Sequence, residues 1–276
     1  MATLSRYCLL TILAFGFQSG GLAPFLLAAT LPTSTTSENK AENKTEPPVL
    51  SYIAPPPGEN SYAQRLDTET YFATRKLKDT PRWNLAYKDS KLQTEELLET
   101  FSCASHLQFK KNSFPAVFSL FDFISHTVKT YVDQDKNLWQ RKRPFVLYQD
   151  QPFCTEEKRD SLGKTYSYPS GHTSLGWSFA LALSELIPQH SAEILARGRQ
   201  YGESRIICGA HWRSDVEAGF LEGAGIVSML QNNPQFQEKL AAARKEITQN
   251  YTPLTPQALN QCTQDAAILK PSPLDE

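Results

Sequence analysis

The sequence predicts an all-α domain, a helical bundle, on three observations. Apolar and aromatic residues recur at three- and four-residue spacing through seven windows between positions 62 and 248. No strand-like alternation competes with them. Helix-starting and helix-stopping residues fall at several of the window ends.

The windows follow in chain order. The first, 62–77, begins just after Ser61, and Thr80-Pro81 then supplies a cap and a first helical residue. Windows 91–107 and 115–140 come next, and Pro144 ends the second of these because the residue before a proline is pushed out of the helical region. Window 173–187 is stopped by Pro188 and is followed by 193–207. Ser214-Asp-Val-Glu217 reads as a capping box for 216–230, Asn232-Asn-Pro234 closes that helix, and 235–248 is the last window.

The ends of the chain read differently. Residues 1–29 carry one cation, Arg6, then an apolar run from Tyr7 to Phe17 and small residues, the pattern of a signal peptide. Gln18-Ser-Gly-Gly21 interrupts that run short of the roughly 20 apolar residues a membrane span needs. The mature chain is therefore expected to be periplasmic or secreted, with no membrane span. Residues 30–58, polar and closed by Pro55-Pro-Pro-Gly58, read as a flexible linker, 59–250 as the helical domain, and 251–276, with Pro253, Pro256, Pro271 and Pro273, as an extended tail.

Charge and cysteines narrow the function classes. Lys plus Arg is 28 against 29 for Asp plus Glu, so no basic excess points to nucleic acid. Once Cys8 is lost with the leader, Cys103, Cys154, Cys208 and Cys262 remain, with no Cys-x-x-Cys pair to suggest zinc. Two disulfides are expected in an oxidising compartment, and all three pairings stay open.

Three segments carry chemistry. Lys136 and Arg143 stand seven apart, two helical turns with about 20° of drift, which places both cations on one face. Pro169-Ser170-Gly171-His172 precedes an apolar helix, so the amides of Ser170 and Gly171 lie at a helix N-terminus, where unpaired N–H groups attract anions. In Ser204-Arg205-x5-His211-x3-Asp215, the carboxylate reaches the Nδ1–H of His211 and leaves Nε2 free as a nucleophile. His106, His126 and His190 match no motif, and Trp139, Trp177 and Trp212 read as packing residues.

Lys136-x6-Arg143-Pro144, Pro169-Ser-Gly-His172 and Ser204-Arg205-x5-His211-x3-Asp215, in that order, resemble the signature of the type 2 phosphatidic acid phosphatase superfamily. Ser167-Tyr-Pro-Ser-Gly-His-Thr173 and the chain length are similar to the secreted bacterial class A non-specific acid phosphatases, with Tyr166 standing where the class signature begins with Gly. The resemblance implies the helical fold shared by acid phosphatases and vanadium haloperoxidases. It also implies a phosphomonoesterase with an acidic optimum and no cofactor or metal. His211 would form a phosphohistidine, Asp215 would orient it, and His172 would be the general acid and then the base. Lys136, Arg143, Arg205, Ser170 and Gly171 would bind phosphate. The implied partners are small phosphorylated substrates, and family members are often homo-oligomers. Rival readings are an apyrase-like hydrolase of nucleoside tri- or diphosphates, a vanadate-dependent haloperoxidase and a non-enzymatic phosphate-binding protein.

Overall fold

A computed structural model describes residues 52–251, 253–269 and 272; the expected signal peptide and most of the expected linker lie outside them. Twelve α-helices and no strand occur among the described residues. They are α1 (Tyr62–Arg75), α2 (Pro81–Lys88), α3 (Thr94–Thr100), α4 (Ser102–Ser105), α5 (Pro115–Trp139) and α6 (Pro144–Leu147). Next come α7 (Arg159–Gly163), α8 (Gly171–Leu186), α9 (Ser191–Ile207), α10 (Arg213–Leu230), α11 (Pro234–Asn250) and α12 (Pro256–Ile268). None is long and apolar enough to cross a membrane.

Local chemistry sets many of the starts. Ser61, Thr80, Asn233 and Thr255 cap α1, α2, α11 and α12 by accepting from the backbone N–H three residues on. Proline occupies the first turn of α2, α5, α6, α11 and α12, where its missing N–H costs nothing.

Helix α8 is the hub, packed on α9, α10 and α5, with α11 laid against α5. The core between them is built from fully buried side chains such as Phe101, Leu120, Phe121, Ile124, Phe179 and Leu183, each contributing about 1.5–3 kcal/mol. Two glycines decide how closely α10 approaches α8. A Cβ on Gly219 would sit 2.8 Å from the Ser170 carbonyl oxygen, and one on Gly223 would sit 2.5 Å from that of Ser174. Their bare backbones bring the N-terminal ends of α8 and α10 together, and the candidate site forms there.

Four expectations from the sequence change. The 91–107 window breaks into α3 and α4 at Phe101, and α4 ends with His106 in the left-handed region. The 251–276 tail is not extended throughout: Thr255 and Pro256 start α12, and the Cys103–Cys262 disulfide ties that helix to α4. The end of the expected linker is part of the domain, since Ile53 is buried and the Ala54 carbonyl accepts from the Tyr168 hydroxyl at 2.5 Å. Finally, α10 starts earlier than its expected box. Trp212 is the N-cap, and Asp215, not Glu217, accepts the N-cap amide at 2.9 Å. The pairing left open by the sequence is Cys103–Cys262 and Cys154–Cys208.

Glu222 on α10 is fully buried, accepts from the Ser174 hydroxyl, and lies near Asp135. Burial is the main cause that pushes its carboxyl up to about 8, with Asp135 adding to the rise. A carboxyl raised on folding stabilises most below its ordinary value of 4.5, and that stabilisation fades as pH climbs through about 8. Glu222→Gln keeps an acceptor for Ser174 without a titrating proton. It is expected to match wild type near pH 4.5 and to exceed it by about 1–3 kcal/mol at pH 8 in urea unfolding. Equal pH dependence of the two proteins would contradict this.

Candidate active site

The His211 turn is held from below. After α9 ends at Ile207, Gly209 takes φ 81°, a left-handed conformation that glycine adopts without strain. The Ala210 and His211 amides then fold back to the Arg205 carbonyl at 3.0 and 3.3 Å. Arg75 donates to the Ile206 and Ile207 carbonyls at 2.8 and 2.6 Å, capping the end of α9, and the Cys154–Cys208 disulfide anchors the same turn.

Asp215 places its Oδ2 3.3 Å from Nδ1 of His211 and 2.9 Å from the Trp212 amide. A carboxylate only accepts, so Nδ1 carries the proton and Nε2 holds the lone pair. That lone pair is not free, as the sequence suggested: Nη1 of Arg143 donates to it at 3.0 Å. Burial drives His211 well below its ordinary 6.5, with Arg143, Lys136 and Arg205 adding to the fall, so the ring stays neutral into acid solution.

The cations converge by a route other than a shared helix face. Helix α5 stops at Trp139, Gln140 adopts a left-handed conformation, and Arg143 is the N-cap of α6. Lys136, in the last turn of α5, donates to the carbonyls of Tyr166 and Pro169 at 2.8 Å each, and Nη2 of Arg143 donates to that same Tyr166 carbonyl at 3.1 Å. The position where the sequence departs from the class A signature thus serves the site through its backbone. Arg143 also donates to Thr165 Oγ1 and to the Ala210 carbonyl. Burial, then Arg143, lower the Lys136 ammonium to about 7, and burial lowers Arg143 to about 10.

Arg205, 1% exposed in the last turn of α9, leaves Nε and Nη1 with no hydrogen-bond partner. Unsatisfied donors on a buried guanidinium are costly, and an anion is what satisfies them.

The third segment closes the site. Ser170 caps α8, its Oγ accepting from the Thr173 amide and hydroxyl at 3.4 and 2.9 Å, so its own proton remains to be donated outward. The Ser170 amide donates to the Asp215 carbonyl at 2.9 Å, tying this turn to α10. Gly171 is the first residue of α8, and a Cβ there would meet Val132 at 3.0 Å. His172 directs Nε2 to the Ser90 carbonyl at 3.1 Å. A carbonyl cannot donate, so Nε2 carries a proton and Nδ1 is the nitrogen left for chemistry. Burial and then Arg205 depress His172 well below 6.5 against the raising effect of the Ser90 carbonyl.

All eight residues singled out in the sequence therefore converge: Lys136, Arg143, Ser170, Gly171, His172, Arg205, His211 and Asp215. Sequence reasoning missed Ser90, Asp67 and Arg141. Asp67 left one signal, a charged residue on the face of α1 that also buries Tyr71 and Thr74. His106 and His190 lie outside the site and stack on each other at 4.1 Å, and Trp212 is buried packing beside Tyr71. No group of three or more His, Cys, Asp or Glu among the described residues is arranged to hold a metal ion.

An all-α domain that sets a carboxylate-paired histidine against two buried arginines and a partly buried lysine defines an anion-handling helical enzyme of the phosphoryl-transfer type. The chain belongs to the PAP2 superfamily, whose family model matches residues 100–237. It is 40% identical over 247 residues to an acid phosphatase of Zymomonas mobilis subsp. mobilis, covering 90% of this chain and 92% of that protein. It is 38% identical over 197 residues to a non-specific acid phosphatase of Salmonella typhimurium, covering 71% and 78% of the two chains. A third relative, a non-specific acid phosphatase of Providencia stuartii, is 36% identical over 199 residues, covering 72% and 80%.

Proposed function

We propose that this protein is an exported acid phosphatase of broad specificity that cleaves phosphomonoesters through a phosphohistidine on His211, without a metal ion. The observation that carries it is the buried guanidinium of Arg205, with two unpartnered donors, in one site with a histidine whose lone pair is already held by a cation. The relatives named acid phosphatase and non-specific acid phosphatase support the phosphatase activity in this reading.

In the first step Nε2 of His211 attacks phosphorus and the ester P–O bond breaks. The leaving oxygen takes the proton from Nδ1 of His172. Arg143 gives up its contact with Nε2 and, with Lys136, Arg205, the Ser170 hydroxyl and the Gly171 amide, takes the equatorial oxygens. Asp215 stabilises the charge that grows on the His211 ring. In the second step Nδ1 of His172 removes a proton from water, the oxygen attacks phosphorus, and the P–N bond breaks to return the lone pair to Nε2. The fixed cations take the neutralising part that Mg²⁺ plays in many phosphoryl-transfer enzymes. Since Arg143, Ser170 and Arg205 of the cradle are almost fully buried, recognition centres on the phosphoryl group, which accounts for breadth toward the alcohol.

The pH profile follows from the two histidines. His211 must be neutral and His172 protonated, and both are depressed below 6.5 in the free enzyme. kcat/KM is therefore expected to peak on the acid side of pH 6.5 and to fall as pH rises. A bound phosphate dianion offsets Arg205 and Arg143 and raises His172, so the alkaline limb of kcat lies at higher pH than that of kcat/KM. Hydrolysis of p-nitrophenyl phosphate across pH 4–8 in excess EDTA tests both points. Loss of activity on chelation, restored by added Mg²⁺ or Zn²⁺, would defeat the proposal, as would a kcat/KM that climbs through pH 7.

A further inference from the structure

Behind the His211–Asp215 pair lies a buried ionic chain that the proposed steps do not use. Arg141, in the connection between α5 and α6, donates through Nη1 to Oδ1 of Asp215 at 2.6 Å and to Ser214 Oγ at 2.8 Å. Its Nη2 donates to Oδ2 of Asp67 and Oε1 of Gln64, both at 2.7 Å and both on α1. Asp67 in turn accepts the Ser214 amide at 2.7 Å and the Ser214 hydroxyl at 2.6 Å. The side chains of Arg141, Asp67 and Asp215 are 8%, 2% and 0% exposed, and the guanidinium lies over the Trp212 ring at 5.4 Å.

We propose that Arg141 is a positioning residue for the nucleophile, fixing the orientation of the Asp215 carboxylate and, through it, of the His211 ring. This rests on His211 being the residue that attacks phosphorus. Both terminal nitrogens of Arg141 are saturated by protein acceptors, which separates it from Arg205, whose Nε and Nη1 are unpartnered. It is therefore not part of the phosphate cradle. With Oδ1 of Asp215 taken by Arg141, Oδ2 is left facing Nδ1 of His211 and the Trp212 amide, and the carboxylate has no second orientation to adopt.

Removing the guanidinium leaves two buried carboxylates, Asp67 and Asp215, without the cation that bridges them. Oδ1 of Asp215 loses its guanidinium donor, and the carboxylate gains orientations in which Oδ2 no longer faces Nδ1 of His211. The His211 ring then loses its fixed hold at Nδ1, and Nε2, still bonded to Arg143, is no longer kept in line with phosphorus. The cations facing His211 from the other elements, Lys136, Arg143 and Arg205, do not replace Arg141, because none of their hydrogen bonds described above reaches the Asp215 carboxylate.

The test is rapid-quench measurement of phosphoenzyme formation on wild type, Arg141→Ala and Arg141→Lys, with the inhibition constant for inorganic phosphate measured alongside. Arg141→Ala is expected to form phosphoenzyme about 10–100-fold more slowly, the range common for groups that orient a reacting residue. Phosphate affinity should stay within about twofold, and added guanidinium ion should restore part of the rate. Arg141→Lys, which keeps a cation but loses the fork, should fall between. The Lys variant also carries the test if the Ala variant does not fold.

An unchanged rate in both variants would overturn the assignment. So would phosphate affinity falling in proportion to the rate, which would place Arg141 in the cradle, or a loss that guanidinium does not recover and that follows the folded fraction. Failure to find any phosphoenzyme in wild type would instead remove the His211 mechanism itself.

Discussion

His211→Ala is expected to lower kcat by about 10⁴–10⁶-fold on every phosphomonoester, while the protein folds and still binds phosphate. The ring supplies the only lone pair held between an orienting carboxylate and a guanidinium in the site: Asp215 on Nδ1 and Arg143 on Nε2. No other residue described in the cradle is placed in the same way: the Ser170 hydroxyl caps α8 and accepts from Thr173, and the His172 ring is backed by the Ser90 carbonyl in place of a carboxylate. Folding should survive the change. Oδ2 of Asp215 keeps the Trp212 amide, and the turn remains fixed by Gly209, Arg75 and the Cys154–Cys208 disulfide. Steady-state kinetics beside a thermal melt checks this, and a variant retaining a tenth or more of wild-type kcat would contradict it.

His172→Ala is the second large effect, and its size should depend on the alcohol released. A poor leaving group such as an alkyl oxygen needs the proton from Nδ1 as the P–O bond breaks, and losing that proton transfer costs about 10²–10⁴-fold. p-Nitrophenolate leaves without help, so the phosphorylation step should fall by about 10-fold or less. Dephosphorylation, which needs His172 to deprotonate water, should then become rate-limiting and show as a burst of p-nitrophenol. The variant also leaves the Ser90 carbonyl without its donor, at a stability cost of about 1 kcal/mol. A uniform loss across alkyl and aryl esters, with no burst, would argue that His172 binds phosphate and moves no proton.

Much of the fold was legible because its long helices repeat their apolar face for more than three turns. Helices α1, α5, α8, α9, α10 and α11 lie within a few residues of the windows read from the sequence. The short helices were not, since α6 and α7 have four and five residues, too few to establish a period. Helix α12 was hidden by its prolines. Those at 253 and 256 punctuate the chain, yet Pro256 is the first residue of a helix capped by Thr255.

The site divides in the same way. The spacing motifs brought out residues that the fold does gather, but not how it gathers them. Lys136 and Arg143 meet over the Tyr166 carbonyl because the helix between them ends at Trp139. The bond from Arg143 to Nε2 of His211 spans 68 positions and leaves no trace in local spacing. Arg141 was hidden for a related reason. In sequence it belongs to a run of basic residues before a proline, the appearance of a solvated helix end, while its acceptors Asp67 and Asp215 are each 74 positions away. Buried ion pairs between distant segments are set by tertiary packing, and periodicity carries no record of them.

The central claim is covalent catalysis by His211, and trapping the intermediate tests it most directly. Wild-type enzyme mixed with ³²P-labelled substrate at acid pH and quenched in alkali within one turnover should retain label that is stable to base and lost in acid, the behaviour of a phosphohistidine. Peptide mapping should place that label on His211, and His211→Ala should retain none. Full turnover by wild type with no trapped label, or label mapped to another residue, would contradict the account.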